Sequence, residues 1–183
     1  QRVLDLMDGA ADDLDLDPVH IFYRIDGISM KTRELSDCCP MHQCFGHLAV
    51  LALQPLLRAK LLPYQFASIP EKGQVALKRQ VERWLRRKSL GVRYGLKMDV
   101  KSAYQNTSHA VVMGILEHEI PHAAWLLAVV RSLLAMAPHG GLLIGGYLEA
   151  WLFNLVASYL MRQLLSYAKA RRGASLPLVQ RCC

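Results

Sequence analysis

The chain has 183 residues, 52% of them hydrophobic, with 12 Gly and 8 Pro. That excludes a disordered, collagen-like or low-complexity chain and fits one domain of roughly 100–200 residues, or most of one. The net charge of +7 is unevenly spread: Asp5, Asp8, Asp12, Asp13, Asp15 and Asp17 crowd the opening, and beyond residue 20 the chain carries 21 basic against 9 acidic side chains.

After the acidic segment 1–19, His20 to Ile25 alternates and is rich in β-formers, Asp26-Gly27 marks a tight turn, and Lys31 to Ser36 resumes an extended pattern, which predicts a β-hairpin. Pro40 opens a helix whose apolar positions Phe45, Leu48, Leu51 and Leu56 recur at helical spacing to about Leu61, where Pro63 follows. Residues 64–72 form a loop. Gln74 to Lys88 reads as a basic helix with Val81, Trp84 and Leu85 on its buried side and Lys78, Arg79, Arg83, Arg86 and Arg87 facing outward. From Lys72 to Lys101 ten basic residues stand against Glu82 and Asp99, a density that suits a phosphate backbone or an anionic membrane surface, or a solvated helix face.

Val92 to Val100 alternates as a strand ending at Asp99. A carboxylate at a strand end inside the most basic stretch is either a functional group or a surface partner of Lys97 or Lys101. Helices are expected over about 108–119, 122–137 and 147–169, the last two separated by a Gly-rich turn from His139 to Gly146. The tail from 171 to 183 starts basic and turns apolar at Leu176 to Val179, which could begin another strand.

The five cysteines, Cys38, Cys39, Cys44, Cys182 and Cys183, do not form a regular disulfide framework and point to a reducing cytoplasm. With His42 and His47 the first three invite a zinc reading. A helix from Pro40 onward cannot turn all of these side chains toward one centre, so ordinary thiols are preferred. The apolar stretches 123–137 and 142–161 are interrupted by Arg131, Gly145-Gly146 and Glu149 and read as core helices, not membrane spans.

Four blocks in order resemble the reverse transcriptases of bacterial group II introns and retrons. Lys31-Thr-Arg33-Glu-Leu resembles the fingers motif K-x-R-x-[IL], followed by a long helix with Gln54-Pro55 where relatives have Glu-Pro. Ala67 to Gly73 (ASIPEKG) resembles a loop that relatives write ASIPGRG or GFRPGRG. Leu96-Lys-Met-Asp99-Val-Lys-Ser-Ala-Tyr104 resembles palm motif A, and Gly141 to Leu155 resembles motif B, G-L-P-I-G-x-x-x-S-x-x-x-x-N-L. Their common order across residues 31–155 carries the resemblance.

The resemblance implies a helix-rich α+β fold of the right-hand polymerase kind, with fingers over 20–92, a partial palm over 93–170 and a tail over 171–183. It implies RNA-directed DNA polymerisation from an RNA template, a DNA primer and deoxynucleoside triphosphates, with two Mg²⁺ ions. Asp99 and the Val100 carbonyl would hold metal. Tyr104 would lie against the sugar and exclude a 2′-hydroxyl, Lys31 and Arg33 would meet the triphosphate, and Ile144, Gly145 and Gly146 would let backbone approach nucleotide and template. Asn154 would orient the helix that follows and, with Lys72 and the outward basic residues Lys78, Arg79, Arg83, Arg86 and Arg87, would face nucleic acid.

The chain departs from the pattern at Lys72, Leu143 and Glu149, where relatives have Arg, Pro and Ser. No Asp follows Asp99, so the second metal-binding motif, Y-x-D-D, is missing. The expectation is therefore a truncated enzyme, inactive alone, with apolar helix surface left uncovered and poor solubility. The alternatives are a non-catalytic nucleic-acid-binding module that stacks bases on Trp84, Tyr94 or Tyr104, and a membrane-associated helical protein built on residues 123–161.

Overall fold

In the computed structural model the described residues are 16–25, 27, 30–91, 95 and 97–172. They form a two-stranded antiparallel sheet and five α-helices, a helix-rich α+β arrangement. The elements are β1 (His20–Ile25), β2 (Thr32–Asp37), α1 (Pro40–Lys60), α2 (Gln74–Arg86), a 3₁₀ turn (Lys88–Leu90), α3 (His109–Glu119), α4 (Ala124–Ala135) and α5 (Tyr147–Arg172). The chain divides into two compact units, one running up to Ala59 and resuming over Ser102–Val156, the other comprising Lys60–Lys101 and the chain from Ala157.

In the first unit β1 and β2 pair from His20 opposite Asp37 to Ile25 opposite Thr32, as the alternation predicts. Period-two geometry puts Ile21, Tyr23, Glu34 and Ser36 on one face and Phe22, Arg24, Arg33 and Leu35 on the other. Ile21 and Val19 pack on Cys38, Ala137 and Leu143, so the first face looks inward. At the start of α1 the Cys39 sulfur accepts the His42 backbone N–H at 3.4 Å, satisfying one of the donors that a helix N-terminus leaves unpaired. Helix α1 buries His42, Phe45, Ala49, Val50, Leu53, Leu56 and Leu57, a stripe at spacings of three and four. Helix α3 is capped by Ser108, whose hydroxyl accepts the Val111 N–H at 3.4 Å. It packs on α4, and Arg131 pairs with Glu117 at 2.7 Å on their exposed side. Thus the charge interrupting the 123–137 stretch lies at the surface.

In the second unit the loop before α2 is organised by Gln65, which is wholly buried and whose side-chain oxygen accepts the Leu62 N–H at 2.7 Å. The side chain of Lys72 donates to the Pro63 carbonyl at 3.1 Å and lies 5.6 Å from the centre of the Phe66 ring. Helix α2 buries Leu77 and carries Trp84 edge-on to Tyr64 at 5.5 Å. Its covered side differs from the one expected from sequence. Val81 and Leu85 are exposed, because the covered face runs along Leu77, Gln80 and Trp84.

The predicted strand over 92–100 is not found in its described part. Gly95 and residues 97–100 are irregular and exposed, while Val92, Arg93, Tyr94 and Leu96 lie outside the described residues. Alternation is necessary for a half-buried strand but not sufficient, since a strand exists only when a partner supplies the ladder. The expected tail strand also lies outside the described residues, as do Asp26 of the hairpin turn and the acidic segment up to Asp15. Among the described residues no helix is long and apolar enough to cross a membrane.

Glu71 adopts a φ of 63°, in the left-handed region that favours glycine, at the position where the resembling loop ASIPGRG carries Gly. Glu71→Gly is expected to leave stability within about 1 kcal/mol of the parent, relief of strain being offset by a freer unfolded chain. Glu71→Val is expected to cost roughly 1–2 kcal/mol because β-branching is least tolerated there. Urea unfolding of the two variants checks both.

Candidate functional site

Three segments distant in sequence meet in the first unit. The Leu142 N–H donates to the Tyr104 carbonyl at 3.0 Å, the His109 N–H donates to the Gly140 carbonyl at 3.3 Å, and the Ser36 N–H of β2 donates to the Ile144 carbonyl at 3.1 Å. His109 Nε2 lies 2.9 Å from the Gly141 carbonyl; a carbonyl only accepts, so this nitrogen carries the proton. The approach depends on Gly141. A Cβ there would collide with the backbone of Gln105, including its carbonyl oxygen.

Glu34 on the inward face of β2 ties the segments together. Its carboxylate accepts from Gln105 Nε2 at 3.3 Å and from the Tyr23 hydroxyl at 3.3 Å, and stands 3.5 Å from His139 Nε2. Neither Glu34 nor His109 stood out in the sequence, since a carboxylate on a hairpin and a histidine beside a helix cap carry no local pattern.

Of the residues the resemblance singles out, this frame holds several. Tyr104 is half-buried, its ring 4.8 Å from that of Phe153, and Ile144 is half-buried. Gly145 is exposed at a φ of 107°, and Gly146 is buried. Lys31 and Arg33 are exposed. Arg33 lies directly opposite Arg24 on the outer face of the hairpin. Asn154 is 0% exposed and engaged within the protein, so it supports α5 from inside and presents no surface to nucleic acid.

The second unit holds the remaining candidates. Lys72, Lys78, Arg79, Arg83, Arg86 and Arg87 are all exposed, and Arg83 is steadied by Gln80 at 3.1 Å. Asp99 and Val100 are exposed on irregular chain. A two-cation site needs carboxylates shared between the ions on a rigid support. Among the described residues no group of three or more His, Cys, Asp or Glu side chains could hold a metal. Nor do Cys38, Cys39, His42, Cys44 and His47 assemble a zinc group, and the three thiols are unbridged.

Glu149 takes the place of the motif's Ser and is the most unusual buried group. It is 1% exposed, neither carboxyl oxygen has a hydrogen-bond partner from another residue, and the carboxyl lies against Gly146. Burial raises its pKa to about 7, its own backbone N–H working in the opposite direction. Burial, followed by the charges of Glu149 and Asp37, pushes the Cys38 thiol up to about 11, so this sulfur is an inert core group. His42 is also buried. Desolvation lowers its pKa, although the Leu133 carbonyl bonds the ring, and Nε2 has no partner.

No protein-family model matches the chain, and no curated protein matches it in sequence.

Two expectations follow from this geometry. Gly141→Ala meets backbone that cannot move aside and is expected to lower stability by roughly 1–3 kcal/mol in denaturant unfolding. Gly146→Ala meets only the end of the Glu149 side chain and is expected to cost less. Because the folded state binds the Glu149 proton more tightly than the unfolded state, whose carboxyl titrates near 4.5, its contribution is fully present below about pH 4.5. It is lost as pH rises to about 7, a loss on the order of 3 kcal/mol. Glu149→Gln should flatten the melting temperature across pH 5–8; an unchanged slope in that variant would contradict the assignment.

Proposed function

We propose that the chain is a nucleotide- and nucleic-acid-binding part of an RNA-directed DNA polymerase of the group II intron and retron kind, holding the fingers and motif A and B segments without a complete catalytic centre. The observation that carries this is the meeting of β2, Tyr104 and the Gly141–Gly146 turn. These are the blocks that the resemblance assigns to the incoming nucleotide.

Each group has its own task. Lys31 and Arg33, with Arg24 across the strand pair, present fixed charge to a triphosphate, and Arg is suited to bidentate phosphate contact. Tyr104 supplies an aromatic edge beside the turn where the exposed Gly145 lets backbone come close to a ligand, while the buried Gly146 is covered by Glu149. The exposed cations of α2 track a sugar-phosphate backbone and release counterions on binding. The partners are an RNA template, a DNA primer and deoxynucleoside triphosphates. Magnesium belongs to the complete catalytic centre, which this sequence, with no Asp after Asp99, does not contain. The location is the cytoplasm, where the unpaired thiols of Cys38, Cys39 and Cys44 stay reduced.

The test is binding and extension by the purified 183-residue chain. Single-stranded RNA is expected to bind with steep salt dependence. Arg79→Gln with Arg86→Gln should reduce the logarithmic slope by about 1.4, near 0.7 for each phosphate that is no longer neutralised. Primer extension with magnesium and all four deoxynucleotides is expected to be absent. Extension abolished by Asp99→Ala would overturn the claim of an incomplete centre, and failure to bind RNA at low salt would remove the reading altogether.

A further inference from the structure

Helix α1 has an outward face that its core stripe does not explain. Between Pro40 and Leu57 it carries no Asp, Glu, Lys or Arg, and no acid occurs anywhere along it. Cys44, His47 and Leu48, Leu51, Pro55 and Arg58 fall on the exposed side, His47 and Leu48 adjacent and the other steps three or four residues. Leu51 is 65% exposed. This is an uncharged surface that ends in a cation.

The centre of this face is an aromatic stack. The rings of His47 and Tyr147 lie parallel, 3.8 Å between centroids with 15° between planes. Behind them the buried Trp151 meets Tyr147 edge-on at 6.5 Å and 72°. The rings are therefore layered from core to surface, and the outermost, His47, is exposed. Tyr147 directly follows the Ile144–Gly146 turn, so the stack adjoins the segment that the proposed function places near nucleotide and template.

We propose that the His47–Tyr147 stack is a ledge for one unpaired nucleobase of a single strand, with the strand's phosphates running along α1 toward Arg58. Every base has a flat face that stacks on an exposed ring. The ring pair is already ordered by Trp151, so little rotamer freedom is lost on binding. Arg58 lies eleven residues from His47, three helical turns on the same side, about 16 Å away. The helix itself carries no acid that would repel a polyanion. This charge pattern favours a nucleic-acid strand over a second apolar helix, which would need no cation at the end of the face.

The inference rests on the nucleic-acid reading above, and the experiment separates the two. Binding of a single-stranded oligonucleotide containing 2-aminopurine is followed by fluorescence with the full chain. His47→Ala is expected to weaken binding about tenfold and reduce base quenching without changing the salt slope, because stacking releases no counterions. His47→Phe, which keeps the ring, should retain the affinity, and an abasic oligonucleotide should not distinguish His47→Ala from the parent. If the oligonucleotide binds equally well to His47→Ala, the ledge is wrong and the nucleic-acid reading stands. If no oligonucleotide binds the parent chain, both are wrong. A parent dimer that dissociates in His47→Ala with oligonucleotide affinity unchanged would assign the face to a second copy and overturn the ledge.

Discussion

The close approach of Gly141 to the backbone of Gln105 is the constraint on which the rest of the candidate site depends. Only a residue without Cβ lets the 102–107 turn and the 140–144 turn come together. Once they do, Leu142 reaches the Tyr104 carbonyl and Ile144 offers its own carbonyl to Ser36 of β2. Backbone groups of irregular segments have no ladder or helix to satisfy them, so these cross-segment bonds avoid leaving buried donors unpaired. Glu34 closes the arrangement with side-chain bonds to Tyr23 of β1 and to Gln105 of the 102–107 turn. The positions near 33, 104 and 145 are therefore held by shared backbone geometry and not by the side chains assigned to binding.

The same region carries a conflict between polarity and burial. Glu149 sits in the first turn of α5, where the helix dipole favours negative charge. Yet its carboxyl is enclosed without a partner from another residue, and desolvation outweighs the dipole. His42, buried on α1 with an unpartnered ring nitrogen, has the opposite dependence, because acid must charge a ring that the core keeps neutral. The stability of the fold is thereby linked to pH from both sides. The position at which the chain departs from the polar Ser of the motif is also the one that sets the alkaline side of that dependence.

The helices were readable because their signals are local. Pro40 and Pro63 bracket α1, Ser108 caps α3, and the Gly-rich turn separates α4 from α5, and each acts through backbone conformation within a few residues. The hairpin was readable for the same reason, with its alternation flanking Asp26-Gly27. The stretch around Asp99 was misread because alternation states only what a strand would need, and the described residues offer 97–100 no pairing partner. On α2 the error was one of angle. Trp84 lies on the covered side, about 20° round the helix from Leu77, whereas Val81 and Leu85 lie about 40° and about 80° away on the other flank and are exposed.

What the sequence determined by itself is the hairpin, the positions of the helices, the basic surface of α2 and the lack of any Asp after Asp99, since each follows from residue types and short spacings. Tertiary structure decided which of those residues share a frame. Glu34 became a junction, Asn154 an interior support, Glu149 an enclosed acid and His47 the outer layer of an aromatic stack only when segments far apart along the chain were brought together. Such roles depend on burial and on distant partners, and neither is encoded in any local window of sequence.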